Sequence, residues 1–239
     1  MSDTDTLPPQ TDQSIKDSLV EAALLHVVFD GWSQDTLNAA AEDIGVAPST
    51  ARALFPRGGV DLALAFHRSR DAILAKELAQ HDVSGMRYSE RVAHAVFRRL
   101  EIVADAREEV RRASSLFALP QYLGDGAKAV WETSDTIWNG LGDTSTDHNW
   151  YTKRATLSAV YSSCVLYWLG DDSEGFDATR AFVGRRIDDV MRIEKVKAKV
   201  RENPLGAALM KGPNRILDRI QRPGDTARSR LPGWIRNDT

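Results

Sequence analysis

Few residues of this sequence combine the types and the spacing that chemistry requires. Glu77 and His81 are four residues apart on a predicted helix, which would put a carboxylate and an imidazole on one face, as in half of a metal site. A solvated surface pair is the simpler interpretation, and we favour it. The single cysteine, Cys164, excludes an internal disulfide and a cysteine-built zinc site, and its apolar surroundings indicate a small core side chain.

Motifs of the common enzyme classes are absent from the sequence. It has no nucleophile elbow, no glycine-rich dinucleotide or phosphate loop, and no zinc-protease motif. None of the five histidines has an acidic residue three positions before it, which a helical di-iron centre would require. We therefore expect a non-catalytic protein with neither cofactor nor metal.

Charge is distributed unevenly along the 239 residues. The composition, 42% hydrophobic and 27% charged with a net charge of -3, is typical of a soluble globular protein. From position 195 to the end there are eleven basic and four acidic residues, so the preceding part is strongly acidic. This basic segment predicts an anionic partner, and both nucleic acid and anionic lipid fit its charge.

Helical periodicity recurs along the chain, and strand signals are nearly absent, so the sequence predicts an all-α fold. Ser14 is the expected N-cap of the first helix and Ser33 or Asp35 that of the second. After residue 203 we expect two short amphipathic pieces separated by Gly212 and Pro213, with a disordered basic tail as the alternative. The first three expected helices cover residues 14–28, 33–45 and 48–55, and a long fourth helix follows the Gly58-Gly59 pair and ends near residue 80. The later ones cover residues 88–105 and 107–119, a seventh helix with an apolar stripe over 130–141, and residues 149–169 and 177–201.

Residues 36–55 fit a helix-turn-helix and are similar to the N-terminal segment of TetR-type regulators. A DNA-binding face should be basic, because phosphate contacts dominate affinity. Residues 1–80 instead carry six basic and twelve acidic side chains, and Arg52 is the only charged residue of the candidate recognition helix. Gly58 stands where TetR relatives usually have a phosphate-binding lysine. We therefore do not expect DNA as a partner.

Aromatic residues follow helical spacing in the seventh and eighth helices, where they would form either a packed core or the wall of an apolar cavity. Between these helices, residues 142–154 are the most unusual segment of the chain. Its Trp150 and Tyr151 occupy a predicted first helical turn. They would either fix the entry to the eighth helix or form a half-exposed surface for a partner or an amphiphilic ligand.

These segments closely resemble the coenzyme Q biosynthesis accessory family, TetR-like lipid-binding proteins that assist ubiquinone synthesis. The similarity runs from about residue 14 to 200. It is carried by Phe29-Asp-Gly-Trp32, Ala53-Leu-Phe-Pro56, Met86-Arg87, Ile137-Trp138 and residues 116–120, 142–154 and 186–192.

The resemblance implies a TetR-like fold of about nine to ten helices, usually a homodimer. Its parts would be a disordered N-terminus (1–13), a helix-turn-helix-like subdomain (14–56), a helical lipid-binding domain (57–202) and a basic amphipathic or mobile tail (203–239). A bound isoprenoid or quinone-type lipid, or a phospholipid, is expected. Pocket candidates are Trp131, Ser134, Trp138, Leu116, Val160, Tyr161, Cys164 and Trp168.

The same resemblance implies that the protein presents this lipid to the demethoxyubiquinone hydroxylase at a membrane. The partner-binding residues would be Thr136, Ile137, Asn149, Trp150 and Tyr151. The membrane-binding residues would be Leu205, Leu209, Met210, Lys211, Arg215, Ile216, Leu217, Arg219 and Ile220. Because residues 1–14 are polar and lack a targeting pattern, we expect a bacterial protein at the cytoplasmic face of the inner membrane. The alternative is a TetR-type regulator with a hydrophobic effector.

Overall fold

The computed structural model of the protein describes residues 11–80, 85–146 and 148–202, without the side chains of 148 and 194–202. Within these ranges the regular elements are helices, which confirms the all-α prediction. The helices are α1 Asp12–Asp30, α2 Gln34–Asp43, α3 Pro48–Leu54, α4 Gly59–Gln80, α5 Tyr88–Glu101, α6 Arg107–Phe117, α7 Leu123–Gly140, α8 His148–Leu169 and α9 Asp177–Glu202. Short 3-10 helices cover Ala104–Ala106, Pro120–Tyr122 and Glu174–Phe176.

Capping residues fix the starts of the first helices. Thr11, not Ser14, caps α1, because its side chain accepts the backbone N–H of Ser14 at 3.2 Å. The predicted cap was therefore wrong, and the helix begins at Asp12, two residues before the expected boundary. Ser33 caps α2 as predicted, and Pro48 is at the first position of α3, where its missing N–H costs nothing.

Two helices end earlier than their periodicity predicts. The fifth ends at Glu101, and residues Ala104–Ala106 form a separate 3-10 turn before α6. The sixth ends at Phe117, and a second 3-10 turn begins at Pro120. Tight 3-10 turns keep the hydrophobic spacing of a helix for a few residues, so periodicity alone overestimates helix length.

A single large hydrophobic core connects α1 to α9. The seventh helix packs against both α4 and α8, and α9 packs against α5 and α8. Within the described residues, no helix is long and apolar enough to span a membrane. The candidate membrane residues from Leu205 to Ile220 lie outside the described residues, as do positions 1–10 of the expected disordered N-terminus.

Candidate functional site

Among the described residues, a cavity of about 690 Å³, called the main cavity below, lies between α4, α5, α6, α7 and α8. Its wall is mostly apolar, with side chains such as Phe66, Phe117 and Trp131. Leu123 and Leu166 also line it and are 55% and 68% exposed, so the cavity reaches the surface beside them. Its size is within the usual range of sites for small molecules and cofactors.

A polar cluster forms one part of this apolar wall. His67 of α4 and Arg99 of α5 line the cavity, and Asp71 is buried directly behind them. The Nε atom of Arg99 donates to Asp71 Oδ1 at 2.6 Å, and the Thr133 hydroxyl donates to the same carboxylate at 3.0 Å. The cluster therefore pairs its one arginine with its one aspartate and carries no net charge when His67 is neutral.

Burial changes the protonation of the groups around this cluster. It lowers the pKa of His67, and nearby Arg99 lowers it further, although Asp71 acts in the opposite direction. Burial also raises the pKa of Tyr161, which lines the same cavity, to about 12, against a smaller lowering effect of Arg99. Near neutral pH the imidazole and the phenol are therefore both uncharged.

A second cavity of about 270 Å³ lies on the other side of α8 and is bordered by α5, α7 and α9. Apolar residues such as Leu157, Val190 and Met191 form most of its wall. The ring of Tyr88 stacks on Trp138 at a centroid distance of 5.9 Å beside it. The eighth helix is therefore a wall that the two cavities share.

The structure divides the eight pocket candidates among three places. Trp131 and Tyr161 line the main cavity, and Trp138 and Val160 line the second. The remaining four line neither of these two cavities and pack against the hydrophobic core or within the helix interfaces, so their role in lipid binding stays a prediction. These are Leu116, Ser134, Cys164 and Trp168.

Two of these four show why helical spacing was misleading. Trp168 is fully buried, and its ring packs against Phe176 and under the guanidinium of Arg107. The Cys164 thiol is also fully buried, and this burial raises its pKa to about 11, as expected of a small core side chain rather than a nucleophile. An aromatic or apolar stripe has the same sequence pattern whether it faces a cavity or another helix.

Residues 142–154 are organised around a buried arginine. The guanidinium of Arg154 is fully buried and donates to Asp135 Oδ1 at 2.5 Å and to Asp143 Oδ2 at 3.1 Å. It also donates to the Asn139 side chain at 3.1 Å and to the Trp150 carbonyl at 3.2 Å. One arginine thus joins the end of α7, the connecting segment and the first turn of α8.

Asp143 completes this charge network. Lys153 donates to its other carboxylate oxygen at 2.7 Å. Burial opposes ionisation of this carboxyl, but hydrogen bonds from Lys153, Ser145 and Arg154 outweigh it and lower the pKa of Asp143 to about 2. The network contains two cations and two anions, and it fixes the segment that precedes α8.

Two of the five predicted partner-binding residues are buried. Trp150 is only 5% exposed, because it packs against Trp131 and Tyr151 and under the Arg154 guanidinium, 4.1 Å from its ring centre. Ile137 is fully buried. The aromatic pair therefore fixes the entry to α8 through Trp150. Among the five candidates, Asn149 is exposed and Thr136 and Tyr151 are half-buried.

Neither the metal pair nor a basic DNA-binding face is assembled in the described ranges. His81 lies outside them, and Glu77 accepts hydrogen bonds from Arg98 at 2.6 and 2.8 Å. Arg57, just after the candidate recognition helix α3, donates to Asp61 and Asp125. Two carboxylates therefore balance a cation that a DNA-binding face would direct to phosphate.

Sequence reasoning missed the cluster of His67, Asp71 and Arg99. A signal was present, since Asp71 shares the buried face of α4 with Phe66 and Leu74. A charged residue on an apolar face indicates a buried ion pair. The partner, however, is 28 residues further along the chain, and spacing within one helix does not reveal it.

Comparison with known proteins identifies the family. A family model described as COQ9 matches residues 123–194, which include α7 and α8. The chain is 30% identical to a rat protein named ubiquinone biosynthesis protein COQ9, mitochondrial, over 85% of this chain and 66% of the rat protein. A fission yeast (Schizosaccharomyces pombe) protein of the same name is also 30% identical, over 77% of this chain and 73% of its own length.

This chain belongs to the COQ9 family. It spans 66% of the rat COQ9 protein and 56% of the Drosophila melanogaster protein, to which it is 31% identical. A solved structure named as a TetR transcriptional regulator, from Nitrosomonas europaea, superimposes with a TM-score of 0.58 at 20% identity. The superposition covers 73% of this COQ9-family chain and 96% of the regulator, and it confirms the TetR-like fold.

The predicted bacterial cytoplasmic location is contradicted by these relatives. The COQ9 proteins of rat, fly, slime mould and fission yeast are all named as mitochondrial. The prediction relied on the composition of residues 1–14. Because the chain spans only part of its relatives, the residues at which it begins carry no information about targeting.

Proposed function

We propose that this protein is a non-catalytic accessory protein of ubiquinone biosynthesis that carries an isoprenoid or quinone-type lipid. The observation that carries the proposal is the main cavity, a space of about 690 Å³ with a largely apolar wall that reaches the surface. The names of its relatives supply the pathway. We infer the lipid-presenting function from the cavity and the pathway together.

A carrier solves a physical problem of this pathway. Each CH₂ group of a polyprenyl chain costs about 0.8 kcal/mol in water, so the lipid remains in a membrane or in a protein. A ring inside the bilayer is difficult for a soluble enzyme to reach. Transfer of the chain into the main cavity would remove it from water while the protein moves the ring to its enzyme.

The membrane role rests on the charge of the C-terminal segment. Residues 195–239 contain eleven basic and four acidic side chains, and each basic residue near an anionic bilayer contributes about 1 kcal/mol. We propose that residues 203–239 bind such a surface. Removing them should abolish flotation with anionic vesicles, and unchanged flotation would exclude this role.

The proposed recipient of the lipid is the demethoxyubiquinone hydroxylase, and its docking surface is reduced by the burial of Ile137 and Trp150. We retain the three candidates that have exposed surface, Thr136, Asn149 and Tyr151. Substituting Asn149 and Tyr151 by alanine should weaken pull-down of the hydroxylase. Full retention by the folded double variant would exclude this surface.

A homodimer is part of the proposal. Tyr167 of α8 is 39% exposed and stacks on Phe182 of α9 at 4.3 Å, and Ile193 on the same helix is 55% exposed. These rings form an apolar surface across the last two helices. Sedimentation of wild type and Tyr167→Glu would distinguish a dimer from a monomer, and identical masses would exclude this surface.

The decisive test of the carrier is the lipid content of two variants on opposite sides of α8. Ser162→Trp fills the main cavity, and Thr156→Trp fills the second cavity as its matched control. Lipids extracted from each purified protein are identified by mass spectrometry beside a mock purification. We expect an isoprenoid or quinone-type lipid in wild type and Thr156→Trp, reduced at least tenfold in Ser162→Trp.

Each alternative result has a defined meaning. Lipid retained by Ser162→Trp but lost from Thr156→Trp would place the site in the second cavity and contradict this assignment. No lipid in the wild type, with the fold intact, would contradict carriage itself. A protein that binds its enzyme without a lipid would then be the better account.

A further inference from the structure

The polar cluster of the main cavity is ordered as a chain of hydrogen bonds. Nε2 of His67 lies 2.8 Å from the Thr133 hydroxyl and 3.1 Å from the Ala129 carbonyl oxygen. The Thr133 hydroxyl donates to the Asp71 carboxylate at 3.0 Å, and Arg99 donates to that carboxylate at 2.6 Å. The chain therefore runs from the imidazole at the cavity wall to a buried ion pair.

This chain assigns the proton of His67. A carbonyl oxygen only accepts hydrogen bonds, so Nε2 must donate to Ala129, and it therefore carries the proton. Because burial keeps the ring neutral, the other nitrogen, Nδ1, has a free lone pair. No hydrogen bond of Nδ1 is found in the part of the chain that the structure describes.

Tyr161 supplies the complementary group. It lines the same cavity as His67, and it is close enough to Arg99 and Asp71 for their charges to act on its phenol. Among the described residues, its hydroxyl makes no hydrogen bond. Beside the ion pair, the cavity wall thus offers an acceptor, Nδ1 of His67, and an uncharged hydroxyl that can donate, that of Tyr161. The serine hydroxyls of the wall belong to α6 and α8, at Ser114, Ser158 and Ser162.

The charges of the cluster restrict the ligand further. Asp71 neutralises Arg99, so no unpaired cation in the cluster compensates the burial of a carboxylate or a phosphate. A ring that carries only carbonyl or ether oxygens cannot donate to Nδ1. A free hydroxyl on an aromatic ring can donate to His67 and accept from Tyr161 at the same time.

We infer that His67 and Tyr161 form a head-group site that selects amphiphiles whose aromatic ring bears a free hydroxyl. This inference rests on the proposed lipid-carrier function and deepens it. Among ring lipids with one apolar chain, the site prefers a phenol or a quinol to the corresponding ether or quinone. The apolar remainder of the cavity accepts the chain.

Four probes that share one alkyl chain test the selection. They are 4-octylphenol, 4-octylanisole, octylbenzene and 4-octylbenzoate, titrated into the whole purified protein by calorimetry. Methylation in the anisole removes only the donated proton. We expect the phenol to bind about tenfold more tightly than the anisole or octylbenzene, as one buried hydrogen bond allows, and the benzoate to bind more weakly than the phenol.

Conservative variants connect this preference to the two residues. His67→Gln keeps a side-chain N–H donor for Thr133 but removes the imidazole and its Nδ1 acceptor, and Tyr161→Phe removes only a hydroxyl. Tyr88→Phe removes a hydroxyl beside the second cavity and is the matched control. The phenol preference should fall to less than threefold in the first two variants and remain in the control. If His67→Gln does not fold, Tyr161→Phe still decides the result.

A spectroscopic measurement reports on the predicted hydrogen bond directly. In protein labelled with ¹⁵N-histidine, the Nδ1 resonance of His67 should shift when 4-octylphenol is added and not when 4-octylanisole is added. The Nδ1 resonance of His67 is identified as the one that disappears from the spectrum of the His67→Gln variant. An unchanged Nδ1 resonance in the phenol complex would overturn the assignment.

The binding results separate this inference from the carrier proposal. Equal affinity for phenol, anisole and octylbenzene would overturn the head-group site and leave the lipid cavity supported. Strongest binding of the benzoate would also overturn it, because Arg99 would then act as an anion site. Failure of all four probes to bind would overturn the carrier proposal and this inference with it.

Discussion

Arg99 and Arg154 are both buried arginines paired with aspartates, yet their surroundings differ. Around Arg154, two carboxylates, an amide and a backbone carbonyl accept its hydrogen bonds, and Lys153 completes the network. The Arg99 network is joined through Asp71 and Thr133 to an imidazole on a cavity wall. The first network holds a chain segment in place, and the second presents a polar group to a ligand.

A buried ion pair alone therefore does not indicate a binding site. What distinguishes the two networks is whether a neighbouring group has unused hydrogen-bonding capacity that faces an open volume. Trp150, one of the two aromatic residues singled out in the sequence, belongs to the Arg154 network through its carbonyl oxygen. The ligand-facing network of His67, Thr133, Asp71 and Arg99 has no distinctive pattern in the sequence.

The largest expected effect follows from breaking the holding network. Arg154→Met leaves Asp135 and Asp143 without their shared cation, and removing one partner of a buried pair costs about 3–5 kcal/mol. Urea unfolding followed by circular dichroism measures this loss. Arg192→Met is the control, because the Arg192 side chain is 76% exposed. Similar stabilities of the two variants would show that the Arg154 network does not hold the segment.

A second effect concerns the pH dependence of the same network. The pKa of Asp143 is about 2 in the folded protein, against an ordinary value of 3.8, so its stabilisation is complete above about pH 5 and is lost as the pH falls towards 2. The shift corresponds to about 2 kcal/mol.

Unfolding curves at pH 7 and pH 3 for wild type and Asp143→Asn measure this contribution. The variant is expected to be less stable than wild type at pH 7, and the difference should shrink at pH 3. A difference that stays constant between the two pH values would show that ionisation of Asp143 does not stabilise the fold.

The smallest effect is expected in the ligand-facing network. Thr133→Val removes the hydroxyl between His67 and Asp71, but His67 keeps the Ala129 carbonyl and Asp71 keeps Arg99. We expect a loss of about 1 kcal/mol in urea unfolding. A loss as large as that of Arg154→Met would show that both networks are mainly structural.

The fold was largely predictable because residues close in sequence determine most of its helix boundaries. Helix starts are marked by Ser33, which caps α2, and by Pro48, the first residue of α3. Pro120 cannot continue α6 and begins a 3-10 turn. The α-helical pattern of α7 places Ile137 and Trp138 on its buried side, as predicted. These signals act over a few residues and need no knowledge of tertiary contacts.

The candidate site was predictable only in part because burial depends on distant partners. Trp150 is covered by Trp131 and Arg154, so its exposure could not be judged from its own helical turn. Likewise, Asp71 and Arg99 meet only after α4 and α5 pack together. Aromatic spacing identified Trp131 and Tyr161 at the main cavity but equally selected Trp168, which faces the core.

The uninterrupted course of α4 has a mechanical consequence. A 22-residue helix is about 33 Å long, and this one begins at Gly59, where a Cβ atom would lie 2.2 Å from the backbone of Trp32. Gly59 is therefore held against the turn between α1 and α2, while His67 and Asp71 lie further along the same rod. Because α4 has no break between Gly59 and His67, the N-terminal helices that hold its start also fix the position of the His67 imidazole in the cavity.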